Sequence, residues 1–264
     1  MNTKSEVIFI KKIVVIVFVM LLSFLTFNYR KIEAYGFGFS RNSEHQVPNI
    51  GFYKKILEEN NGYYVGEPNC VYLTFDVGYD NGYLEKYLDI LKEENVKATF
   101  FVTGDFVRRF SSLLVRIHEE GHLICNHSYS HRNINSLSNS ELERDLTKLE
   151  NAYYDVIGVK MAKIFRPPEG QFDEKSLKFL SKLGYKTIFW SIAHVDWKTS
   201  KDNCLQNVID NLHDGAIILL HTVNEENYQN LPQIIDFIRK NGYKLSKLDR
   251  QFITELCEAK RKYL

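Results

Sequence analysis

Seven short apolar runs, separated by amphipathic stretches of helix length, constrain what this chain can fold into from Asn69 onward. Regular alternation of strand-length and helix-length segments is typical of βα units that build a parallel sheet. The apolar runs predict strands at residues 71–76, 98–103, 122–126, 163–166, 186–191, 216–221 and 244–248. The stretches between them predict helices at residues 81–94, 105–119, 139–157, 173–183, 203–212 and 230–241. The pattern therefore predicts an α/β fold whose repeats form an irregular barrel.

Chemically reactive side chains occur where these strands end. In α/β barrels and open α/β sheets, functional groups come from the carboxyl ends of the strands. A base, a histidine pair, a third histidine, a cation and a second acid gathered at that edge predict a hydrolytic site. The set comprises Asp76, His127, His131, Arg166, Asp196 and His221.

His127 and His131 form an H-x-x-x-H pair directly after the strand 122–126. If the segment makes one helical turn, the two imidazoles project to the same side and can bind one divalent cation. A loop histidine pair without a metal role is the alternative for an isolated motif of this kind.

Asp76 is followed by Val77 and Gly78, and the glycine lets the backbone turn sharply beside a site. A carboxylate near a metal-bound water can act as a general base. The alternative is an aspartate that starts a turn or caps a helix. Arg166 leaves its strand at a stiff Pro-Pro turn, where we expect it to pair with a buried carboxylate.

The amino terminus has the pattern of an export segment. Lysines precede an apolar run from Ile13 to Phe27, and a run of this length suits the core of a signal peptide. We expect residues 1–34 to be a signal peptide or a signal anchor, residues 35–68 to be a linker that wraps the domain, and residues 69–264 to be the catalytic domain. The protein is then exported, and contacts a membrane through this segment only.

Composition narrows the function further. The net charge of +1 gives no electrostatic case for binding nucleic acid. The chain has four cysteines without C-x-x-C spacing, so a thiolate zinc site is not expected. We expect a monomer.

In chain order, five segments resemble the motifs of the polysaccharide deacetylase (NodB-homology) family, over about residues 69–250. The resemblance implies a distorted (β/α)7 barrel that removes acetyl groups from glycans with a divalent metal cation such as Zn, Co, Mn or Mg. The matching segments are Thr74-Phe75-Asp76-x-Gly78, His127-Ser-x-x-His131, Arg166-Pro-Pro-x-Gly170, Asp196-Trp197 and Leu219-x-His221.

The same resemblance implies a role for each residue. Asp76 would be the general base, oriented by Arg166, and the two histidines of the pair would be metal ligands. His221 would be the general acid, tuned by Asp196. Trp197 and Leu219 would line the pocket for the acetyl methyl group.

The chain departs from the usual family pattern at Val77, where a second acidic residue normally binds the metal. The segment Phe75 to Tyr83 resembles the muramic-acid de-N-acetylase branch, which makes the muramic δ-lactam of spore-cortex peptidoglycan and also lacks the second acid. A new carboxylate at Val77 is expected to tighten metal binding, unless Asp80 already supplies the third ligand.

These features predict a metal-dependent hydrolase that removes the N-acetyl group from N-acetylmuramic acid in peptidoglycan strands. The first alternative is a deacetylase of N-acetylglucosamine in peptidoglycan, chitin or another acetylated glycan. The second is a non-catalytic glycan-binding module.

Overall fold

The computed structural model describes residues 45–193, 204–223 and 225–248, together with the backbone of a two-residue strand, Tyr35–Gly36. The helices are α1 (Tyr53–Glu59), α2 (Leu84–Glu93), α3 (Gly104–Arg109), α4 (Ser111–Glu119), α5 (Asn139–Ile157), α6 (Glu174–Lys182), α7 (Cys204–Asn211) and α8 (Glu225–Lys240). The strands are β1 (Tyr35–Gly36), β2 (Gly62–Tyr63), β3 (Cys70–Val77), β4 (Thr99–Val102), β5 (Leu123–Asn126), β6 (Ile164–Phe165), β7 (Gln171–Phe172), β8 (Lys186–Ile188), β9 (Ile192–Ala193), β10 (Ile217–His221) and β11 (Lys244–Ser246).

The main sheet follows the order β2-β8-β6-β5-β4-β3-β10-β9, and β11 pairs with the first half of β3. Every pairing between these strands is parallel, so their carboxyl ends meet at one edge. The sheet curls into a half-barrel surrounded by helices, which is the distorted (β/α)7 barrel that the sequence predicted.

Alternation along β3 separates the hydrophobic core from the site. Val71, Leu73, Phe75 and Val77 all belong to a buried cluster that includes apolar residues of the helices α2, α4 and α8. Successive side chains of a strand point to opposite faces, so Thr74 and Asp76 lie on the other face.

Local sequence signals explain the helix boundaries that were predicted well. α5 spans Asn139–Ile157 as predicted, because Ser138 and Glu141 form a reciprocal capping box at its start. Its carboxyl end is Gly158, which adopts the left-handed conformation with φ +78°.

The structure also differs from the prediction in places. The helix expected at 105–119 is two helices, α3 and α4, separated at Phe110, which has non-helical dihedral angles. The break keeps the buried face continuous, so the apolar spacing gave no sign of it. The segment before Asn69 showed no periodicity, yet it contains α1 and β2, which joins the main sheet beside β8. No helix in the described ranges is long and apolar enough to cross a membrane.

Candidate active site

Asp76 and Arg166 form a buried ion pair at the carboxyl edge of the sheet. Arg166 Nη1 donates to Asp76 Oδ1 at 2.7 Å, and the two residues are 0% and 8% exposed. The same guanidinium donates to the Thr74 hydroxyl at 2.9 Å and to the carbonyl oxygens of Ile188 and Phe189 at 3.3 and 3.2 Å. These bonds fix Arg166 against β3 and the end of β8. Arg166 therefore binds Oδ1 of Asp76 and leaves Oδ2 free to accept a proton.

The charges around Asp76 keep it ionised. Burial by itself would raise the pKa of this carboxyl, but Arg166, and then His127 and His221, together hold the pKa below its ordinary value. A carboxylate with a lowered pKa is deprotonated at neutral pH and can accept a proton through Oδ2.

His127 is held in one tautomer. Its Nδ1 lies 2.8 Å from the carbonyl oxygen of Arg166, which can only accept, so Nδ1 carries the proton in the neutral ring. Nε2 then presents its lone pair, 3.6 Å from Asp76 Oδ2. Burial lowers the pKa of His127 to about 4, although Asp76 opposes the shift. A neutral ring with Nε2 exposed toward the carboxylate is the form that binds a metal.

The histidine pair is brought together by a tight loop and not by the helical turn considered from its spacing. Ser128 and His131 both have positive φ, at 72° and 53°, and the two imidazole centroids lie 5.0 Å apart. The backbone N–H of His131 donates to the Ser128 hydroxyl at 2.9 Å.

Asp145 on α5 holds this loop and was missed by the sequence analysis. Its Oδ2 accepts from Tyr129 N at 2.7 Å, and its Oδ1 accepts from Ser130 N at 3.2 Å. Asp145 lies in the sequence among ordinary charged residues of an amphipathic helix, so only its burial marks it.

His221 and Leu219 reach the same site from β10. His221 is the register partner of Asp76 in the parallel pairing of β10 with β3, and Leu219 is the partner of Thr74. Both residues line a cavity of about 940 Å³ that also contains Asp76, His127 and His131. The structure therefore gathers five of the residues that the sequence singled out, with Arg166 buried directly behind them.

Several other residues line this cavity that the sequence analysis did not select. Trp190 is a buried aromatic wall whose ring centroid lies 5.7 Å from the Arg166 guanidinium. Glu169 is exposed and adopts φ +57°, a conformation uncommon for a residue other than glycine. Trp190 could have been selected from the sequence, because it lies at the end of a predicted strand. Asp196 and Trp197 lie outside the described residues, so their predicted roles stay predictions.

The positions of Asp80 and Val77 bear on the predicted third metal ligand. Asp80 binds the backbone at the start of α2, where its Oδ1 accepts from the N–H groups of Gly82 and Leu84, each at 3.1 Å, and it does not line the cavity. The Val77 side chain belongs to the buried apolar cluster on the face opposite Asp76. Neither side chain is directed to the histidine pair.

The donors at the site suit a divalent cation bound mainly by imidazole. Two neighbouring rings, one fixed with Nε2 free of its proton, provide nitrogen ligands of the kind that first-row metals accept. Within the part of the chain that the structure describes, no three His, Cys, Asp or Glu side chains form a complete ligand set. His127 and His131 are the residues at this edge of the sheet that would hold such a cation.

Comparisons with known proteins agree with this fold. The family model described as polysaccharide deacetylase matches residues 64–188. The peptidoglycan-N-acetylmuramic acid deacetylase PdaA of Bacillus subtilis is 38% identical over 82% of this chain and 85% of the relative. A peptidoglycan-N-acetylglucosamine deacetylase of Bacillus cereus is 36% identical over 70% of this chain and 68% of the relative.

A solved structure of B. subtilis PdaA, described as a family 4 carbohydrate esterase, superposes with a TM-score of 0.80 and 38% identity. The match covers 84% of this chain and 98% of that one. The chain belongs to the polysaccharide deacetylase family, as its motifs predicted.

Proposed function

We propose that this protein is a metal-dependent hydrolase that removes the N-acetyl group from N-acetylmuramic acid in peptidoglycan. The observation that carries the proposal is the buried Arg166–Asp76 pair, which leaves Asp76 Oδ2 facing His127 Nε2 across 3.6 Å at the floor of a cavity. That arrangement supplies a fixed base and a nitrogen ligand where an acetamido group could enter.

His127 and His131 would hold the divalent cation, Zn, Co, Mn or Mg. When bound, such a cation polarises a carbonyl group and makes a water molecule more acidic.

The side chains then divide the work of amide hydrolysis. Asp76 Oδ2 takes a proton from the attacking water, whose oxygen forms a bond to the acetamido carbon. Arg166 keeps Asp76 ionised and oriented during this step. His221, with Asp196 beside it in the family pattern, gives a proton to the nitrogen as the C–N bond breaks. Leu219 and Trp197 would enclose the methyl group, and the products are acetate and a sugar amine.

The muramic-acid preference is supported by the likeness to PdaA and by the segment from Phe75 to Tyr83. The new amine lies on the same sugar as the lactyl carboxyl group. Its attack on that carboxyl, with loss of water, gives the muramic δ-lactam of spore cortex. The protein would act as an exported monomer in the cell wall or the forespore intermembrane space, anchored or released according to the fate of residues 1–34.

The test is mass spectrometry of muropeptides after treating peptidoglycan, with and without prior removal of stem peptides. We expect the wild type to remove acetyl from muramic acid in the stripped strands, and Asp76→Asn to do so far more slowly. Acetyl loss confined to glucosamine would contradict the muramic assignment.

N-acetylglucosamine deacetylation is the second candidate, since a B. cereus relative is named for that activity. Chitin oligomers separate the two, because they contain no muramic acid. Acetate release from either substrate would exclude a non-catalytic glycan-binding module.

A further inference from the structure

A second groove, of about 590 Å³, adjoins the active-site cavity. The two cavities share Asp105, Tyr129 and Ser130 as lining residues. The groove extends from the histidine loop along α5, and Arg144 and Lys148 line a further surface groove beyond it. A polymer that enters the active site can therefore continue along this path.

The acidic residues of the groove are already engaged. Asp105 lies between Arg108 and Arg109, at 2.6 and 3.0 Å. Asp145 accepts from the histidine loop, as described above. Glu141 Oε2 accepts from the backbone N–H and the hydroxyl of Ser138, at 2.8 and 2.6 Å.

Three cationic side chains of the groove have no carboxylate partner of this kind. Arg132, Arg144 and Lys148 are exposed, and they form no salt bridge among the residues that the structure describes. Among the described residues, Arg132 and Arg144 donate hydrogen bonds only through Nε, to the Ser130 hydroxyl and the Ser140 carbonyl respectively, both at 3.2 Å. Glu141 attracts both guanidinium groups electrostatically, but their terminal nitrogens form no hydrogen bond within the described part of the chain and can bind a further anion.

Tyr129 lies between the second groove and the active-site cavity and lines both. Lys148 Nζ lies 4.0 Å from the centroid of its ring, and the Tyr129 carbonyl accepts from Gly104 N at 3.1 Å. A Cβ atom at position 104 would collide with the Tyr129 ring, so the glycine allows this close packing. The ring and the ammonium group above it are thus held at the junction of the two cavities.

We propose that Arg132, Arg144 and Lys148 bind the carboxylates of a glycan strand outside the catalytic cavity. The inference rests on the proposed function, and it names the sugars that lie beside the one being deacetylated. A strand without stem peptides carries a free lactyl carboxylate on every muramic acid, whereas an attached peptide converts that carboxylate to an amide. Guanidinium groups bind carboxylates through paired hydrogen bonds.

In this proposal the second groove supplies the cations that bind carboxylates, because the described lining of the catalytic cavity has none left for that role. Among the described residues that line the cavity, Arg109 is the one lysine or arginine, and it is paired with Asp105. Preference for stripped strands would then come from the neighbouring muramic acids bound along α5.

The experiment measures binding of fluorescently labelled glycan strands by polarisation, in an Asp76→Asn background so that turnover does not interfere. The test variant is Arg144→Gln/Lys148→Gln, with Arg132→Gln as a second. The control is Lys178→Gln/Lys182→Gln, an exposed pair on α6 with the same spacing that lines neither groove. One ligand is the strand without stem peptides, and the other is the same strand with its carboxylates converted to methyl amides.

We expect the Arg144/Lys148 variant to bind the carboxylate strand about 3- to 30-fold more weakly, the range for two exposed ion pairs. The control pair should leave binding unchanged, and amidated strands should bind all forms equally weakly. Unchanged affinity in the test variants, an equal loss with the control, or an equal loss for the amidated strand would overturn the proposal. Because these readouts are binding constants, they stand apart from the acetate release that tests the proposed function.

Discussion

Arg166 and Asp76 are joined at 2.7 Å although 90 residues separate them in the chain, and the pair is buried from solvent. The arginine comes from the end of β6 and the aspartate from β3, with two strands between them in the sheet. The long side chain of Arg166 therefore spans the floor of the site, and its guanidinium group stacks 4.1 Å from the ring centroid of Phe101. The pair links the stability of the barrel to the ionisation of the proposed base.

Arg166→Met is expected to lower the free energy of unfolding by about 3–5 kcal/mol, because it leaves a buried carboxylate without its partner. Arg166 lowers the pKa of Asp76 in the folded protein. The ionised carboxylate therefore stabilises the fold at pH values above its unfolded-state pKa, and this contribution is lost as the pH falls through the folded-state pKa. Removing the cation lets burial raise this pKa, so the acid limb of kcat/KM should move to higher pH. Urea unfolding and a pH–rate profile measure both effects, and an unmoved acid limb would contradict the linkage.

Asp76→Asn should reduce acetate release by roughly 10²–10⁴-fold, because an amide cannot take the proton from water. Asp105→Asn is the matched control, since Asp105 lines the same cavity but is already held between two arginines. Wild-type rates in Asp76→Asn would remove Asp76 from the role of base.

Asp145→Asn should weaken metal binding by about 10- to 100-fold, the usual effect of losing support behind a ligand. The amide keeps one acceptor but cannot receive both Tyr129 N and Ser130 N, so the loop that carries His131 loses part of its anchor. Calorimetric metal titration makes the measurement, with the exposed Glu143→Gln on the same helix as the control. Equal affinity in both variants would show that the loop holds its shape without Asp145.

The sheet edge could be predicted from the sequence because strand ends are local signals. His221 and Asp76 each close an apolar run, and parallel pairing puts them side by side. The order of the motifs along the chain then indicated the polysaccharide deacetylase family, and the comparisons agree with that assignment.

The histidine loop could not be predicted in the same way. Ser128 and His131 have positive φ angles, and the residues between them donate to Asp145, which comes from another element, the helix α5. Spacing alone suggested a helical turn, since i and i+4 are neighbours on a helix. The helix α1 was missed because tertiary contacts, and not periodicity, stabilise a segment of seven residues.

His122 should make stability depend on pH below neutrality. Its side chain is fully buried, with Nδ1 accepting from Ala98 N at 3.1 Å, and burial, followed by nearby Lys97, lowers its pKa to about 4. Between about pH 6.5 and 4 the unfolded state binds a proton that the folded state does not, so stability falls as pH falls, by at most about 3 kcal/mol. His122→Asn keeps an acceptor for Ala98 N but does not titrate. Urea unfolding from pH 7 to pH 4 should give a shallower decline for this variant, and parallel curves would contradict the assignment.

Val77→Asp should destabilise the protein without tightening metal binding, which reverses the expectation drawn from the sequence. The Val77 side chain is 1% exposed and belongs, with Phe75 and Leu84, to the buried apolar cluster of the sheet and helices. A carboxylate there would lose its hydration without a partner and would be protonated or would disrupt the packing. Val77→Ala separates the cost of the lost methyl groups from that of the charge. Urea unfolding should therefore place Val77→Asp below Val77→Ala, and calorimetry should give all folded forms the same metal affinity. Tighter binding by Val77→Asp would show that the aspartate leaves the cluster and reaches the histidine pair.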